Sequence, residues 1–154
     1  MTNDTVYNEV YPIVTSPLAL KVNQEWAGHE GGLAASAEDT FTTHAGTTTV
    51  TTFPVWQVWH KRLPAIGDRA TGAVLLINLS EQPRNVTLTY SDVDPRFGST
   101  VTGTDVWTGE KVDLAAKSQA FSLAPHASRF LILQAVSRMA GLWLAGEREA
   151  VTVR

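Results

Sequence analysis

Ala73-Val74-Leu75-Leu76-Ile77-Asn78-Leu79 is an apolar run interrupted only by one asparagine. An apolar run of this length is typical of a central strand that is buried on both faces of a sheet. It leads into Gln82-Pro83-Arg84-Asn85, whose proline and asparagine favour a turn. We therefore predict that this stretch is an inner strand, and that the chain reverses direction after it.

The sequence around this strand contains more strands. Residues 48 to 134 are dominated by threonine, valine and aromatic residues in short runs that turn residues separate. Val86, Leu88 and Tyr90 alternate with polar residues, which is the period-two pattern of a half-buried strand. The other runs are Thr48–Phe53, Val55–Lys61, Asp105–Thr108, Lys111–Leu114, Gln119–Leu123 and Arg129–Leu133. Six to eight such strands without intervening helices indicate an all-β fold, an antiparallel sandwich or barrel.

The two ends of the chain have a different character. Ser16 followed by Pro17 is a helix N-cap followed by an N1 proline, and Ala27-Gly28 is a stop signal, so residues 1–30 are predicted to hold one short helix. Residues 31–47 are rich in Gly, Ser, Thr and Ala and are predicted to be a linker or insert. Residues 135–154, which include Trp143, are predicted to be a tail, either helical and docked on the sandwich or without a fixed place.

Charge and composition exclude several functions. The chain has 154 residues, a net charge of −3 and a pI near 5.7. We predict no nucleic-acid partner, because phosphate binding requires a basic face, and no membrane partner, because there is no polybasic cluster or long apolar span. The absence of cysteine excludes disulfides and thiolate chemistry. The localisation stays unknown, although residues 1–5 do not resemble a signal peptide.

Five segments, taken in order, resemble glycoside hydrolase family 27, the α-galactosidases and α-N-acetylgalactosaminidases. They are Leu20–Glu25 with Ala27-Gly28, Trp56-Gln57-Val58-Trp59, Ala73–Pro83, Asp105-Val106-Trp107-Thr108-Gly109-Glu110, and Ala124-Pro125-His126-Ala127. Each is short, but their common order across the chain makes the resemblance specific.

The resemblance implies a division of the chain. Residues 1–30 would be the remnant of the last helix of a (β/α)8 barrel, 31–47 a linker or insert, 48–134 a C-terminal antiparallel Greek-key β-sandwich, and 135–154 a tail. A complete barrel requires about 250 residues. The expected partner is therefore the missing catalytic barrel, in the same parent chain or in a separate one.

The catalytic residues of this family are not found in the sequence. The resemblance implies two aspartates on the barrel, about 5 Å apart, one of them in a Lys-Tyr-Asp setting. Tyr90-Ser91-Asp92 is the nearest match, and its place among the strands favours a turn. Asp92 with Asp94 is the other candidate carboxylate pair, and the surrounding Ser and Pro again favour a turn. Glu38-Asp39 is interpreted as a solvated pair. We predict no catalytic residue in this chain, and an isolated chain that is inactive.

We predict no metal site and no cofactor either. The histidines His29, His44, His60 and His126 do not have a metal-ligand spacing. The sequence contains no Gly-x-Ser-x-Gly, P-loop or Gly-x-Gly-x-x-Gly pattern.

The tryptophans leave two functions open. Trp56 and Trp59 are three apart on a strand and should point to opposite faces of it. Core packing or a domain interface is favoured for them, for Trp107 and for Trp26, because large aromatics dominate such surfaces. The alternative is a free-standing carbohydrate-binding module that stacks tryptophan on α-galactosides. The third hypothesis, and the least supported, is an active enzyme, either with a barrel supplied by another chain or with unrelated chemistry. A sandwich that requires a barrel should expose an apolar patch.

Overall fold

The computed structural model describes Asp4 and residues 6–45 and 47–136. This part of the chain forms eight strands. They are β1 (Gly32–Ala45), β2 (Thr47–Ile66), β3 (Arg69–Asn78), β4 (Arg84–Thr89), β5 (Val101–Asp105), β6 (Lys111–Val112), β7 (Ser118–Leu123) and β8 (Ser128–Ala135).

The strands form two antiparallel sheets. The larger sheet has the order β1-β2-β3-β8-β5-β6, and β4 pairs with β7 in the smaller one. The chain crosses to the smaller sheet for β4, returns to the larger sheet for β5 and β6, crosses again for β7 and ends in β8, which lies between β3 and β5. The predicted antiparallel β-sandwich is thus confirmed.

The main core lies between the two sheets. β3 contributes Val74 and Leu76, β4 contributes Val86 and Leu88, and β8 contributes Leu131; all are buried. On the opposite side of β3, Ala73 is buried in a second, smaller cluster. The apolar run that begins at this alanine is therefore an inner strand covered on both faces, as predicted.

Short helices precede and interrupt the strands. A π-helical turn (Val6–Val10) leads into α1 (Tyr11–Val14) and α2 (Pro17–Gln24), and α3 (Tyr90–Val93) is followed by a 3-10 turn (Pro95–Phe97). α2 begins after Ser16, whose side chain accepts a hydrogen bond from the Ala19 N–H, so the predicted helix start is confirmed. None of the helices described is long and apolar enough to cross a membrane.

The prediction of a linker at residues 31–47 is wrong. Residues Gly32–Ala45 form β1, which pairs with β2 from Gly32↔His60 to Ala45↔Thr47. The small and polar composition that suggests a loop is compatible with a strand, because threonine is β-branched and favours extended backbone. At the inner end of β1 the paired residues are far apart in sequence, as Gly32 and His60 are, and local composition does not encode such a pairing.

The two runs predicted at Thr48–Phe53 and Val55–Lys61 are one continuous strand, β2. Pro54, which lies between them, favours a break when only the local sequence is considered. Proline is tolerated there because the ladder with β3 begins only at Trp56, and because the β1–β2 register shifts between Ala37 and Glu38, opposite Pro54.

Most of the predicted tail at 135–154, including Trp143, lies outside the described residues. Ala135 ends β8 and Val136 follows it. The assignment of residues 1–30 to a barrel helix stays a prediction.

Candidate docking face

Helix α2 is fixed to the outer side of the larger sheet at both ends. At its start, the Ser16 hydroxyl donates to the Val106 carbonyl over 3.3 Å. At its end, the Lys61 ammonium donates to the carbonyls of Val22 (2.6 Å) and Asn23 (3.2 Å). A cation on the last carbonyls of a helix satisfies acceptors that have no partner within the helix and opposes the helix dipole. The helix is therefore held in one orientation.

Beneath this helix lies the second apolar cluster. Val22 from α2 is buried against Leu63 of β2 and Ala73 of β3, and Phe130 and Ile132 of β8 pack around them. Burial of Val22 and Leu63 stabilises by about 1.5–3 kcal/mol each. The cluster covers only the part of the sheet directly under α2.

Beside the covered part, apolar side chains remain open to solvent. Trp107, which is 49 % exposed, forms a shallow cleft of about 380 Å³ with Pro12 and Ile13. Its ring contacts that of Phe130 edge-on, with 5.7 Å between centroids. Phe130 in turn borders a second cleft, of about 160 Å³, together with Trp59 and Leu75. The surface made by Ile13, Trp59, Leu75, Trp107 and Phe130 is called the outer face below.

Trp107 is held outward by its own turn. The buried carboxylate of Asp105 accepts from the N–H groups of Trp107 (2.9 Å) and Thr108 (3.1 Å). The turn closes at Gly109, which donates to the Asp105 carbonyl and has a φ of +73° that favours glycine. Arg129 lies 3.3 Å from the same carboxylate. The Asp105–Gly109 turn therefore holds the side chain of Trp107 at the surface.

Trp56 and Trp59 point to opposite faces of β2, as predicted. Trp56 packs against the main core, whereas Trp59 lies on the outer face and is 40 % exposed. The indole N–H of Trp59 donates to the Gln57 side-chain oxygen over 3.0 Å. Trp107 and Trp26 are also exposed.

The two carboxylates that are candidates for catalysis do not form a pair. Asp92 is exposed, whereas Asp94 is buried and holds Arg96 through both carboxylate oxygens (2.6–3.1 Å) and Arg62 at 3.3 Å. Burial alone would raise the pKa of Asp94, but the hydrogen bonds from Arg96 and the charges of both arginines hold this pKa below its ordinary value. Asp94 therefore anchors the segment between β4 and β5.

Tyr90, in the Tyr90-Ser91-Asp92 segment, belongs to the core. It is fully buried, and its hydroxyl donates to the Ala115 carbonyl over 2.6 Å. Burial raises the pKa of this phenol. The surroundings are those of a structural tyrosine.

The histidines lie apart from one another in separate contacts. His29 lies 3.1 Å from Arg62, His44 contacts Thr48 at the far end of the β1–β2 hairpin, and His126 pairs with Glu81 at 3.1 Å on the surface. Burial and the nearby charge of Arg62 lower the pKa of His60 and favour its neutral form. Within the described ranges, no three His, Asp or Glu side chains converge to hold a metal ion.

Residues 54–133, slightly more than half of the chain, match the family described as the alpha galactosidase C-terminal beta sandwich domain. The chain belongs to this family. Within this galactosidase sandwich, the match covers β3 to β7 completely and excludes α2, β1 and the first third of β2, Thr47–Phe53. No curated protein is significantly similar to the chain in sequence.

Three solved structures illustrate the fold. A family 27 β-L-arabinopyranosidase from Geobacillus stearothermophilus has 21 % identity and a TM-score of 0.61, with 85 % of this chain and 24 % of that chain covered. α-Galactosidase I from Mortierella vinacea has 16 % identity and a TM-score of 0.58, with 86 % and 29 % covered. The α-galactosidase from Saccharomyces cerevisiae, in a structure with raffinose, has 14 % identity and a TM-score of 0.53, with 80 % of this chain and 36 % of that chain covered. The sandwich thus spans about a quarter to a third of these enzymes, and at these identities the likeness shows the fold alone.

Sequence reasoning missed part of this site. It identified Trp59, Trp107 and Trp26 as candidates for an interface, but it did not identify Ile13, Leu75 or Phe130 as parts of one surface. These residues come from α1, β3 and β8, and only the strand order brings them together. The contact of Lys61 with α2 was also missed, because the two are 38 and 39 residues apart in the sequence.

Proposed function

We propose that this domain is the non-catalytic sandwich of an α-galactosidase-like enzyme, and that its outer face docks on the catalytic barrel. The observation that carries the proposal is the continuous apolar surface from Ile13 through Trp107 and Phe130 to Trp59. Contiguous exposed apolar patches on soluble domains mark interaction sites, because leaving them in water costs free energy.

The position of α2 supports the barrel as the occupant. The resemblance to family 27 assigns Leu20–Glu25, which lies at the end of this helix, to the last barrel helix. α2 is fixed to the sandwich by Ser16 and Lys61, and Leu20 on the same helix is 40 % exposed. A barrel that included this helix would lie directly against the outer face.

For the whole enzyme we propose a substrate of the α-galactoside class. Two of the structural neighbours described above are α-galactosidases, and the third acts as a β-L-arabinopyranosidase. Under this proposal the sandwich contributes stability and position to the barrel, and the chemistry belongs to the barrel.

The carbohydrate-binding alternative is less well supported by the groove at Trp59. A sugar site combines an aromatic face with polar groups that are free to hold hydroxyls. In this groove the indole N–H is bonded to Gln57, and the ammonium of Lys61 is bonded to two helix carbonyls. The apolar remainder fits a protein surface better than a sugar.

The docking proposal is tested by a matched pair of isoleucine substitutions. Ile13 on the outer face is 54 % exposed, and Ile66 at the β2–β3 turn is 55 % exposed. We expect Ile13→Ser to reduce the fluorescence of a dye that binds apolar surfaces, because it disrupts the cleft at Trp107, and Ile66→Ser to leave it unchanged. Equal effects of the two substitutions, with unchanged circular dichroism, would contradict the assignment of this face.

A further inference from the structure

The β1–β2 hairpin projects beyond the rest of the larger sheet. β2 has 20 residues and β3 has 10, and the pairing of β3 with β2 reaches outward only to Trp56. Beyond Trp56, β2 pairs with β1 alone among the described strands. The segment Thr47–Phe53, called the free edge below, therefore has one row of backbone N–H and C=O groups facing away from β1. At about 3.3 Å per residue it extends roughly 23 Å.

The free edge lacks the features that normally protect an edge strand. Proteins place lysine, proline or a bulge at such edges to prevent pairing with another chain. Thr47–Phe53 has no charged residue, proline or glycine, and the β1–β2 register is regular from Glu38↔Pro54 to the end of the hairpin. A seven-residue segment with β-branched residues and no charge has the composition of strands that pair with copies of themselves.

The projecting part of the hairpin, residues 40–53, is called the arm below. Its side chains at 40–44 and 48–53 are exposed, and all of these except His44 are apolar or neutral. Val50 is 61 % exposed, and Phe41 and Phe53 are diagonal neighbours across the hairpin, with ring centroids 6.2 Å apart. The family match begins at residue 54, so the arm lies outside the part of the chain that defines the family. A role separate from barrel docking is consistent with this.

We propose that the free edge pairs antiparallel with the free edge of a second copy of this chain, about a twofold axis at Val50. A twofold axis perpendicular to the sheet places residue i of one copy opposite residue 100 − i of the other. Each side chain stays on the same face of the combined sheet as in the single copy. Thr48 then faces Thr52, Thr49 faces Thr51, and Val50 faces its own copy. Opposed threonines and β-branched residues stabilise a ladder, and no like charges meet. A four-stranded sheet, β1-β2 with the same two strands of the partner, results.

The second copy is favoured over other occupants by this self-complementarity. A partner of different sequence would need charges or specific pockets for selectivity, and between Thr40 and Phe53 the arm offers only His44 as an ionisable group. At the base of the opposite edge, Glu38 and Asp39 of β1 place two carboxylates, and charged residues on an edge strand oppose its pairing with another chain. The pairing should therefore stop at two copies.

The absence of cysteine allows a direct test in the full chain. In an antiparallel pair, opposite Cα atoms are about 4.5–5.5 Å apart, which lies within the span of a disulfide. We expect Val50→Cys to form a disulfide-linked dimer under mild oxidation, at least about tenfold faster than Thr87→Cys, an exposed control on β4. If Val50→Cys crosslinks no faster than the control, the pairing is wrong.

A charge variant provides a second readout that is independent of oxidation. Val50→Lys places two ammonium groups opposite each other at the proposed axis, so the dimer dissociation constant measured by analytical ultracentrifugation should rise roughly tenfold or more. Thr87→Lys should leave it unchanged. Equal dissociation constants for the two variants would overturn the proposal, and so would open-ended aggregates that Val50→Lys does not dissolve. Self-association through the outer face would instead respond to Ile13→Ser, so the two surfaces are distinguished.

Discussion

Replacing Asn78 by aspartate is expected to destabilise the domain by about 4 kcal/mol, more than any other polar substitution proposed for this chain. Asn78 ends β3 and is completely buried. Its side-chain nitrogen lies within hydrogen-bonding distance of the carbonyls of Gln82 (2.8 Å), Ala124 (2.9 Å) and Leu123 (3.2 Å). Its oxygen accepts from the N–H and the hydroxyl of Ser80.

The physical reason is the loss of both donors at a buried site. An ionised aspartate would direct a carboxylate at three carbonyl oxygens in a dry environment, and a protonated one would supply a single donor for three acceptors. A buried acceptor without a donor costs about 1–3 kcal/mol. The turn after β3 and the connection from β7 to β8 both depend on this amide, so both should loosen.

Asn85 provides the matched control for this prediction. It lies on β4 and is exposed, so Asn85→Asp should change the free energy of unfolding by less than about 0.5 kcal/mol. Urea unfolding monitored by tryptophan fluorescence measures both variants. Asn78→Asp with the stability of the natural chain would show that the amide does not hold these segments together.

Replacing Asp94 by asparagine should cost about 2 kcal/mol at neutral pH, the second-largest effect. Asp94 is 2 % exposed and bonds to Arg96, with Arg62 close by, whereas the two arginines are partly exposed. Asparagine can keep the contact with the Arg96 N–H, now 3.0 Å, but it lacks the charge that both guanidinium groups face. Exposure of the arginines limits the loss, because water partly replaces the carboxylate.

The pH dependence of this effect has a definite sign. The folded-state pKa of Asp94 is depressed, so the folded state binds fewer protons than the unfolded state near this pKa. The stabilisation is complete above the unfolded-state pKa of about 3.9 and is lost as the pH falls through the folded-state value. The difference between the natural chain and Asp94→Asn should therefore be constant from pH 7 to pH 5 and shrink below about pH 4.

Asp92→Asn is the control, since Asp92 lies two residues away on the same segment and is exposed. We expect it to have little effect on stability at any of these pH values. The measurement is chemical unfolding at several pH values. A pH-independent difference for Asp94→Asn would mean that the carboxylate charge contributes nothing, and that shape alone matters at this site.

Much of the fold follows from local patterns. The apolar run at Ala73–Leu79 predicts the inner strand, the alternation at Val86–Tyr90 predicts β4, and Ser16-Pro17 predicts the start of α2. These patterns are set by residues that are neighbours in sequence, and burial on one or both faces leaves a clear period. The strand predicted at Asp105–Thr108 is wrong, because β5 ends at Asp105 and the carboxylate of this residue accepts from the N–H groups of Trp107 and Thr108, which closes a turn there.

What could not be predicted depends on partners that are distant in sequence. β1 has the composition of a linker and no burial period beyond Ala37, because most of its side chains are exposed and backbone hydrogen bonds stabilise its pairing with β2. The local sequence identifies Asp94 only as a turn residue, since Arg62 is 32 positions away and on another strand. The sequence predicts that an apolar patch exists, but the residues that form the outer face can be identified only from the strand order.

We propose that this sandwich carries no catalytic chemistry of its own and that it depends on a barrel for function. The decisive experiment is to assay the purified chain against an aryl α-galactoside, with an aryl α-N-acetylgalactosaminide and an aryl β-L-arabinopyranoside in parallel, after circular dichroism has shown that it is folded. We expect no hydrolysis above buffer with any of the three. Hydrolysis that persists through repurification and is lost in Asp92→Asn, a variant expected to keep the stability of the chain, would contradict this proposal.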